Sequence, residues 1–159
     1  MHDRSSIHTF GPPGAKFCFY LPTPPIFPDD WHYSNPDAVS QLIELNGNHW
    51  RKILTIMAKI TAPDDNWKHY RDAQLLKQDE QILVGASQLS IQADWHFIVG
   101  GISLQGLESE LQEKTFIALD ESGKLLCDDG KLFRVPYLDY RQYPNKLIAL
   151  TRDNLYRTA

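Results

Sequence analysis

Cysteine, net charge and long apolar runs are all scarce in this chain. Its 159 residues include two cysteines, and the formal net charge is −4. Two isolated cysteines, Cys18 and Cys127, make neither a disulfide framework nor a zinc site with Cys-x-x-Cys spacing, and their apolar surroundings are typical of buried free thiols. A mildly acidic chain is also a poor match for a protein that grips the phosphate backbone of nucleic acid with clustered Lys and Arg.

Signals for membranes, metals and phosphate loops are missing as well. No apolar run approaches the roughly 20 residues that span a bilayer, and the first residues lack the apolar region of a secretory signal. We therefore expect a cytoplasmic protein that makes no membrane contact. The chain contains six histidines, but no two have the spacing of a helical metal site, and neither GxxxxGK[ST] nor GxGxxG occurs. We expect no metal and no cofactor.

The remaining composition is that of one folded domain. Hydrophobic residues make up 42% of the chain and charged residues 23%, close to an average globular protein. Residues 1–15 are mostly polar and contain Gly-Pro-Pro-Gly near their end, which predicts a flexible N-terminal arm. No shift in composition marks a further boundary, so residues 16–159 are expected to form a single α/β domain.

Three short apolar segments predict buried strands. They are Phe17–Leu21, Phe97–Val99 and Leu132–Val135. Segments that are apolar on both faces are typical of strands covered on both sides of a parallel sheet. We expect these three to lie side by side and to point the same way. The loops that leave them would then meet at one edge, where ligands of α/β proteins bind.

Helical patterns separate these strands. The clearest begins at Asn48, the expected N-cap, and continues with apolar residues at helical spacing from Trp50 to Ile60. Glu121-Ser122-Gly123 and Asp128-Asp129-Gly130 predict tight turns. The order of elements therefore predicts a three-layer α/β/α domain with a mostly parallel central sheet and a small antiparallel hairpin excursion. Further helices are predicted after the caps Asn35, Asn66, Ser103 and Asn145.

Five stretches of the chain follow one another in a suggestive order. They are Tyr20–Pro24, Asn48–Leu54, Phe97–Gly101, Phe133–Tyr140 and Pro144–Asn145. Together they resemble the uracil-DNA glycosylase superfamily, in which a strand leads into a proline-containing loop, a helix opens with an Asn-x-aromatic signal, a strand ends in glycine, and a last loop precedes the final helix. The resemblance implies a shared α/β fold with a nucleobase pocket, and glycosylase or other hydrolase chemistry if the protein is an enzyme.

The two loops differ from that family at the positions that carry its chemistry. The family has a carboxylate or amide in the first loop that positions the attacking water, where this chain has Thr23. It has a His or Asn in the last loop that stabilises the leaving base, where this chain has Tyr137, Asp139 and Tyr140. An acid beside a departing anionic base is unfavourable unless it is protonated. The sequence therefore leaves open whether the protein is an enzyme.

Four side chains are candidate catalytic residues. Asp29 and Asp30 are adjacent carboxylates that can supply a general acid, although Asp-Asp after a proline is also common in solvated turns. His49 lies in the first turn of a predicted helix and faces the first loop, so a neutral imidazole there can act as a base or as a hydrogen-bond donor. It is equally compatible with a structural role on the surface. Asp139 follows the last predicted strand.

The ligand is expected between the loops at 22–34 and 136–144 and the start of the helix at Asn48. These loops carry most of the aromatic side chains that no helix or strand accounts for, and aromatic rings stack on bases. The predicted ligand is a nucleobase, a nucleotide, a nucleic-acid base or a similar planar molecule. The candidate ligand-binding residues are Tyr20, Thr23, Trp31, Asn48, Tyr137, Tyr140 and Arg141.

A protein–protein interaction module is the second hypothesis. In it, Trp31 and Tyr33 are exposed and form, with the tyrosine-rich loop at 136–144, an aromatic patch that binds a partner or a second copy in a homodimer. A tight dimer that is lost on Trp31→Ala would favour this hypothesis. A monomer with a deep aromatic pocket would favour ligand binding.

Overall fold

A mixed β-sheet with helices packed against it forms the described part of the chain. The structure is a computed structural model and describes residues 8–129 and 131–157. Over these residues there are seven strands, five α-helices and one short 3-10 helix. The strands are β1 (His8–Phe10), β2 (Phe17–Leu21), β3 (Glu80–Val84), β4 (Trp95–Val99), β5 (Ile117–Ala118), β6 (Leu126–Asp128) and β7 (Leu132–Val135). The helices are α1 (Ala38–Asn46), α2 (Asn48–Thr61), α3 (Trp67–Ala73), α4 (Gly100–Gly106) and α5 (Asn145–Arg157), with the 3-10 helix at Glu108–Leu111.

The centre of the sheet is parallel and both of its edges are antiparallel. The strand order is β1-β3-β2-β4-β7-β6-β5. The four central strands, β3, β2, β4 and β7, run parallel to one another. β1 pairs antiparallel with β3 at one edge, while β6 and β5 form an antiparallel excursion at the other. The predicted side-by-side, parallel placement of β2, β4 and β7 is therefore confirmed, as is the hairpin excursion.

The prediction of a mostly parallel sheet is wrong, because the short edge strands make the sheet mixed. Three strand pairings are parallel and three are antiparallel. β1, the first strand of the chain, is antiparallel to β3. The turns around Ser122 and Asp129 reverse the chain direction, so β6 is antiparallel to both β5 and β7. The sequence predicted a flexible arm over residues 1–15, of which His8–Phe10 form β1 and residues 1–7 lie outside the described range.

Both faces of the central strands are buried, because alternate side chains of a strand point to opposite faces. Phe19, Phe97 and Phe133 stack across β2, β4 and β7, with ring centroids 4.6 and 5.3 Å apart. They belong to a large hydrophobic cluster that also contains residues of α1, α2 and α5. Tyr20 of β2 belongs to a second, smaller cluster with Leu107. This double burial explains why β2 is apolar at every position.

α2 packs along the large cluster and begins where the sequence predicted. Its buried residues extend from Trp50 through Met57 to the last turn. Its N-cap, however, is Gly47, with a φ of 78°, and no side chain caps the helix. The predicted cap, Asn48, instead accepts a hydrogen bond from the Arg51 guanidinium with its side-chain oxygen. The first amides of α2 are therefore left without a side-chain partner.

Three other helices differ in their ends from the sequence prediction. α1 begins at Ala38, after a turn that starts at Asn35. α3 ends at Ala73, although the sequence pattern predicts a helix over residues 67–77, and a φ of 66° at Leu76 excludes a right-handed helix through that residue. α4 begins at Gly100, directly after β4, and not at Ser103. Within the described ranges, none of the helices combines the length and apolarity needed to cross a membrane.

Candidate functional site

Three polar side chains meet beyond the carboxyl ends of the parallel strands. Thr23 follows β2, Tyr137 follows β7, and His49 lies in the first turn of α2. The Tyr137 hydroxyl lies 2.9 Å from His49 Nε2, and the Thr23 side chain is near enough to lower the pKa of Tyr137. We call these three residues the rim cluster. The parallel direction of β2 and β7 is what brings such distant segments together.

Tyr137 is the centre of the rim cluster. Its ring stacks on that of His49, with centroids 5.8 Å apart and 24° between the planes. Gly100, the first residue after β4, lies against the same ring, since a Cβ built on it would be 3.7 Å from Tyr137 Cδ1. His49 and Thr23 are exposed and Tyr137 is half-buried. The ring of Tyr137 is thus partly covered by protein, while the side chains of His49 and Thr23 are open to solvent.

The rim cluster is uncharged at its centre. Burial raises the pKa of Tyr137 above its ordinary value, the negative charge of Asp139 adds to the rise, and the nearby Thr23 side chain opposes it. A neutral phenol both donates and accepts hydrogen bonds, as do the Thr23 hydroxyl and a neutral imidazole. The cluster can therefore pair with a ligand edge that alternates donors and acceptors. In the described ranges, no group of three or more His, Cys, Asp and Glu residues is placed to hold a metal ion.

A cavity of about 290 Å³ adjoins Tyr137 on the side of α4. It lies between the ends of β4 and β7 and the start of β6. Gly101 and Gln142 line it together with two cationic residues, Lys124 and Arg134. An added Cβ at Gly101 would meet no atom within 4 Å, so this glycine leaves open space beside the backbone. Tyr137 belongs to the rim cluster and also lines this cavity, so the two are adjacent.

The predicted acidic catalytic residues do not join the rim cluster. Asp29 and Asp30 are exposed, and a φ of 60° at Asp30 belongs to the turn that contains them. Asp139 is closer in sequence to Tyr137, but its side chain accepts a hydrogen bond from the Arg141 amide at 2.9 Å, and its carbonyl accepts one from the Tyr143 amide at 2.7 Å. These contacts fold the loop after β7, so the role that the structure assigns to Asp139 is to shape that loop.

Three predicted ligand-binding residues lie elsewhere. Tyr20 is buried in the small cluster, where its hydroxyl lies 2.7 Å from His96 Nδ1. Tyr140 packs near the other end of α2, with Lys59 Nζ 4.8 Å from its ring centroid. Arg141 lines a separate cavity of about 420 Å³. The sequence placed all three on the correct loops or strands, but their side chains point away from the rim cluster.

Trp31 and Asn48 occupy intermediate positions. The indole of Trp31 donates a 2.8 Å hydrogen bond to the Ala38 carbonyl, and its ring lies 5.1 Å from that of Phe27. It is half-buried against the large cluster, so it does not form the exposed patch that the interaction hypothesis requires. Asn48 is exposed beside His49, where Arg51 donates to it.

Four residues at the site were not among the sequence candidates. Gly100, Lys124, Arg134 and Gln142 all line the cavity beside Tyr137. One of them carried a signal, because Arg134 is a cation inside the otherwise apolar strand Leu132–Val135. A charged residue in a central strand is rare unless a partner or a ligand compensates it. The other three carried none, since only the fold brings them to Tyr137.

Comparison with known proteins gives one match. Residues 8–156 match a family of unknown function, DUF6942. No curated protein and no solved structure matches the chain. The function therefore has to be argued from the chemistry of the site.

Proposed function

The chain belongs to DUF6942, a family of unknown function, and we propose that it binds a nucleobase, a nucleotide or a similar planar ligand at the rim cluster. One observation carries the proposal. Thr23, His49 and Tyr137, which come from three distant segments, lie together beyond the ends of the parallel strands, where the Tyr137 hydroxyl and His49 Nε2 are 2.9 Å apart. This edge of an open α/β sheet is where ligands bind.

The chemistry of the three side chains suits a heterocyclic ring. A nucleobase presents donors and acceptors along its edge and an apolar surface on each face. Two hydroxyls and an imidazole supply donors and acceptors for the edge. The stacked rings of His49 and Tyr137 supply flat surfaces, and stacking on an aromatic side chain is worth about 1–3 kcal/mol per base.

The relation to uracil-DNA glycosylases, the three-layer architecture and a cytoplasmic location belong to the same proposal. The parallel arrangement of β2, β4 and β7 supports the relation, because the predicted pocket requires these strands to end at one edge. Two separate hydrophobic clusters, one containing Phe19 and the other Tyr20, support helices on both faces of the sheet. These statements rest on the fold and not on matched catalytic residues.

A calorimetric titration with nucleobases and nucleosides tests the binding proposal. Uracil, hypoxanthine, uridine and inosine cover both ring sizes. Tyr137→Phe keeps the ring and removes the hydroxyl, and we expect it to weaken binding by about tenfold, the usual effect of one hydrogen bond of roughly 1 kcal/mol or slightly more. Tyr137→Ala also removes the stacking surface and should weaken binding further.

The matched control is Tyr140→Phe, which removes the same hydroxyl from a tyrosine that packs on Lys59. We expect it to leave the affinity unchanged. The proposal would be abandoned if the folded protein bound none of the four ligands, or if Tyr140→Phe and Tyr137→Phe weakened binding equally.

An enzymatic form of the proposal needs a separate assay. In it, His49 acts as a general base that takes a proton from a water molecule. The water oxygen bonds to C1′ of the sugar as the glycosidic C–N bond breaks, and the nucleobase leaves with the bonding electron pair and is then protonated. Uracil or hypoxanthine release from DNA measures this activity directly, with His49→Gln as the inactive variant and the exposed His69→Gln as the control. Inactivity of the folded protein in this assay would remove the enzymatic form and leave the binding proposal intact.

A further inference from the structure

We propose that Lys124 and Arg134 form an anion subsite beside Tyr137, so that the preferred ligand is a mononucleotide and not a free base or nucleoside. The inference rests on the proposed function, because the ring would occupy the rim cluster while the phosphate enters the adjoining cavity of about 290 Å³. Tyr137 lines both spaces and joins them.

The charge of the cavity is the first argument. Among the described residues, Lys124 and Arg134 are the only charged side chains that line it, although acidic residues outnumber Lys and Arg by 20 to 16 in the chain. Two further cavities combine charges of both signs. The one of about 420 Å³ has three cationic residues beside Asp120 and Glu121, and the one of about 500 Å³ has Arg134 beside Glu108. Of these three cavities, the one next to Tyr137 is therefore the one in which cations face no acidic residue of the lining.

The lack of ionic partners is the second argument. In the described part of the chain, neither Lys124 nor Arg134 takes part in an ion pair. The guanidinium of Arg134 lies over the ring of Phe116, 5.2 Å from its centroid. That contact orients the side chain but leaves its hydrogen-bond donors for another group. A guanidinium donates to two oxygens of one phosphate at once, which makes Arg134 the main contact and Lys124 the supporting charge.

The shape of the cavity is the third argument. Its volume is close to the lower limit for a small-molecule pocket, which is about 300 Å³. It is thus suited to the sugar and phosphate of a ligand whose ring lies outside it. Gly100 and Gly101 keep the wall beside Tyr137 free of side chains, and Gln142 offers an amide for the sugar hydroxyls.

The test compares uridine with uridine 5′-monophosphate, and inosine with its 5′-monophosphate, by calorimetric titration. We expect the monophosphate of the preferred base to bind at least about tenfold more tightly than the nucleoside, as one charge-assisted hydrogen bond would give. Arg134→Gln should abolish most of this difference, because it should weaken binding of the monophosphate far more than binding of the nucleoside. Lys124→Gln should reduce it, and inorganic phosphate should compete with the monophosphate only.

Lys131→Gln is the matched control. Lys131 directly precedes β7, so it lies at the opposite end of that strand from Tyr137. Its Nζ lies over the ring of Trp95, 5.6 Å from the centroid. The Lys131→Gln variant should bind the monophosphate more tightly than the nucleoside by the same factor as the natural protein does. Because Arg134→Gln also loses the contact with Phe116, circular dichroism and urea unfolding are used to check that the variant is folded. Lys124 is exposed, so its substitution provides a second variant without a packing change.

Each outcome has a defined meaning. Equal affinities for nucleoside and monophosphate would overturn the anion subsite while the proposed function stands. A tighter monophosphate whose advantage survives both Arg134→Gln and Lys124→Gln would also overturn it, because the phosphate would then bind elsewhere. Absence of binding by all four ligands would overturn the proposed function, and the subsite with it.

Discussion

Glu80 is a charged side chain that the fold buries completely. It opens β3 and is 0% exposed. Its carboxylate accepts hydrogen bonds from the Leu76 amide, at 2.9 Å, and from the Tyr70 hydroxyl. Burial raises the pKa of Glu80 above its ordinary value of 4.5, and these hydrogen bonds oppose the rise without cancelling it. The folded protein therefore holds this proton more tightly than the unfolded chain does.

Glu80→Gln is expected to remove a pH dependence of stability. Because the folded pKa is raised, the contribution of this carboxyl to the free energy of unfolding is full below pH 4.5 and is lost as the pH rises through the folded pKa. Glutamine resembles the protonated carboxyl at every pH. The free energy of unfolding of the natural protein should thus fall relative to that of the variant as the pH is raised. Urea unfolding at several pH values measures this difference.

Glu44→Gln provides the control, because Glu44 is exposed on α1. The pH dependence found for Glu80→Gln should exceed that found for Glu44→Gln. His96 has a pKa that burial lowers, so its own contribution changes in the opposite direction, but it is present in both proteins and cancels. A pH-independent difference for Glu80→Gln would contradict the argument.

At the scale of secondary structure, elements with a strong local pattern could be predicted and those formed by pairing could not. α2 has an apolar stripe along its length, and β2 is apolar at every position, so each indicates its own structure. β1 has three residues, two of them exposed, and exists because β3 offers an unpaired edge. No local signal in the sequence indicates that edge, so the antiparallel pairing of β1 with β3 could not be predicted.

The same contrast explains which site residues could be predicted. Thr23 and Tyr137 follow strands that were predicted to be parallel, and His49 opens a predicted helix, so their meeting could be expected. Tyr20 could not be placed, because a strand that is apolar throughout does not reveal which side chains face which layer. Arg134 was missed for a related reason, since its importance depends on a cavity that the fold creates.

An arginine of α5 donates hydrogen bonds to the end of α2, and this contact yields a prediction at the same scale. Arg152 of α5 donates from Nη1 to carbonyls at the end of α2, at 2.7 Å from that of Ala62 and 3.0 Å from that of Lys59. The last carbonyls of a helix have no partner within the helix. Arg152→Met keeps the aliphatic stem and removes the donor, and we expect it to reduce the free energy of unfolding by about 2 kcal/mol.

Lys146→Met is the control for this prediction. Lys146 is an exposed cation on the same helix, and we expect its loss to change stability by no more than about 0.5 kcal/mol. Urea unfolding of both variants with equal m-values gives the comparison. If Arg152→Met were as stable as Lys146→Met, the contact between α2 and α5 would contribute nothing measurable.

At the scale of the whole molecule, the depth of burial decreases from the centre of the sheet to its β5 edge. All five residues of β2 are buried, and β2 pairs with strands on both sides. Both residues of β5 are exposed, and within the described ranges β5 pairs with β6 alone. The candidate site lies between these extremes, where the central strands end and the excursion begins. A rigid centre therefore holds Tyr137, while the hairpin that carries Lys124 has fewer contacts.

Hydrogen exchange should reproduce this gradient. We expect amides of β2 and β4 to exchange only through global unfolding, with a free energy equal to that from urea unfolding, and amides of β5 to exchange through local opening at a much lower free energy. Exchange measured by NMR at two protein concentrations tests both statements. Protection of β5 equal to that of β2 would contradict the gradient if it persists on dilution. Protection of β5 that is lost on dilution would instead show that a second copy covers this edge, as an exposed strand edge permits.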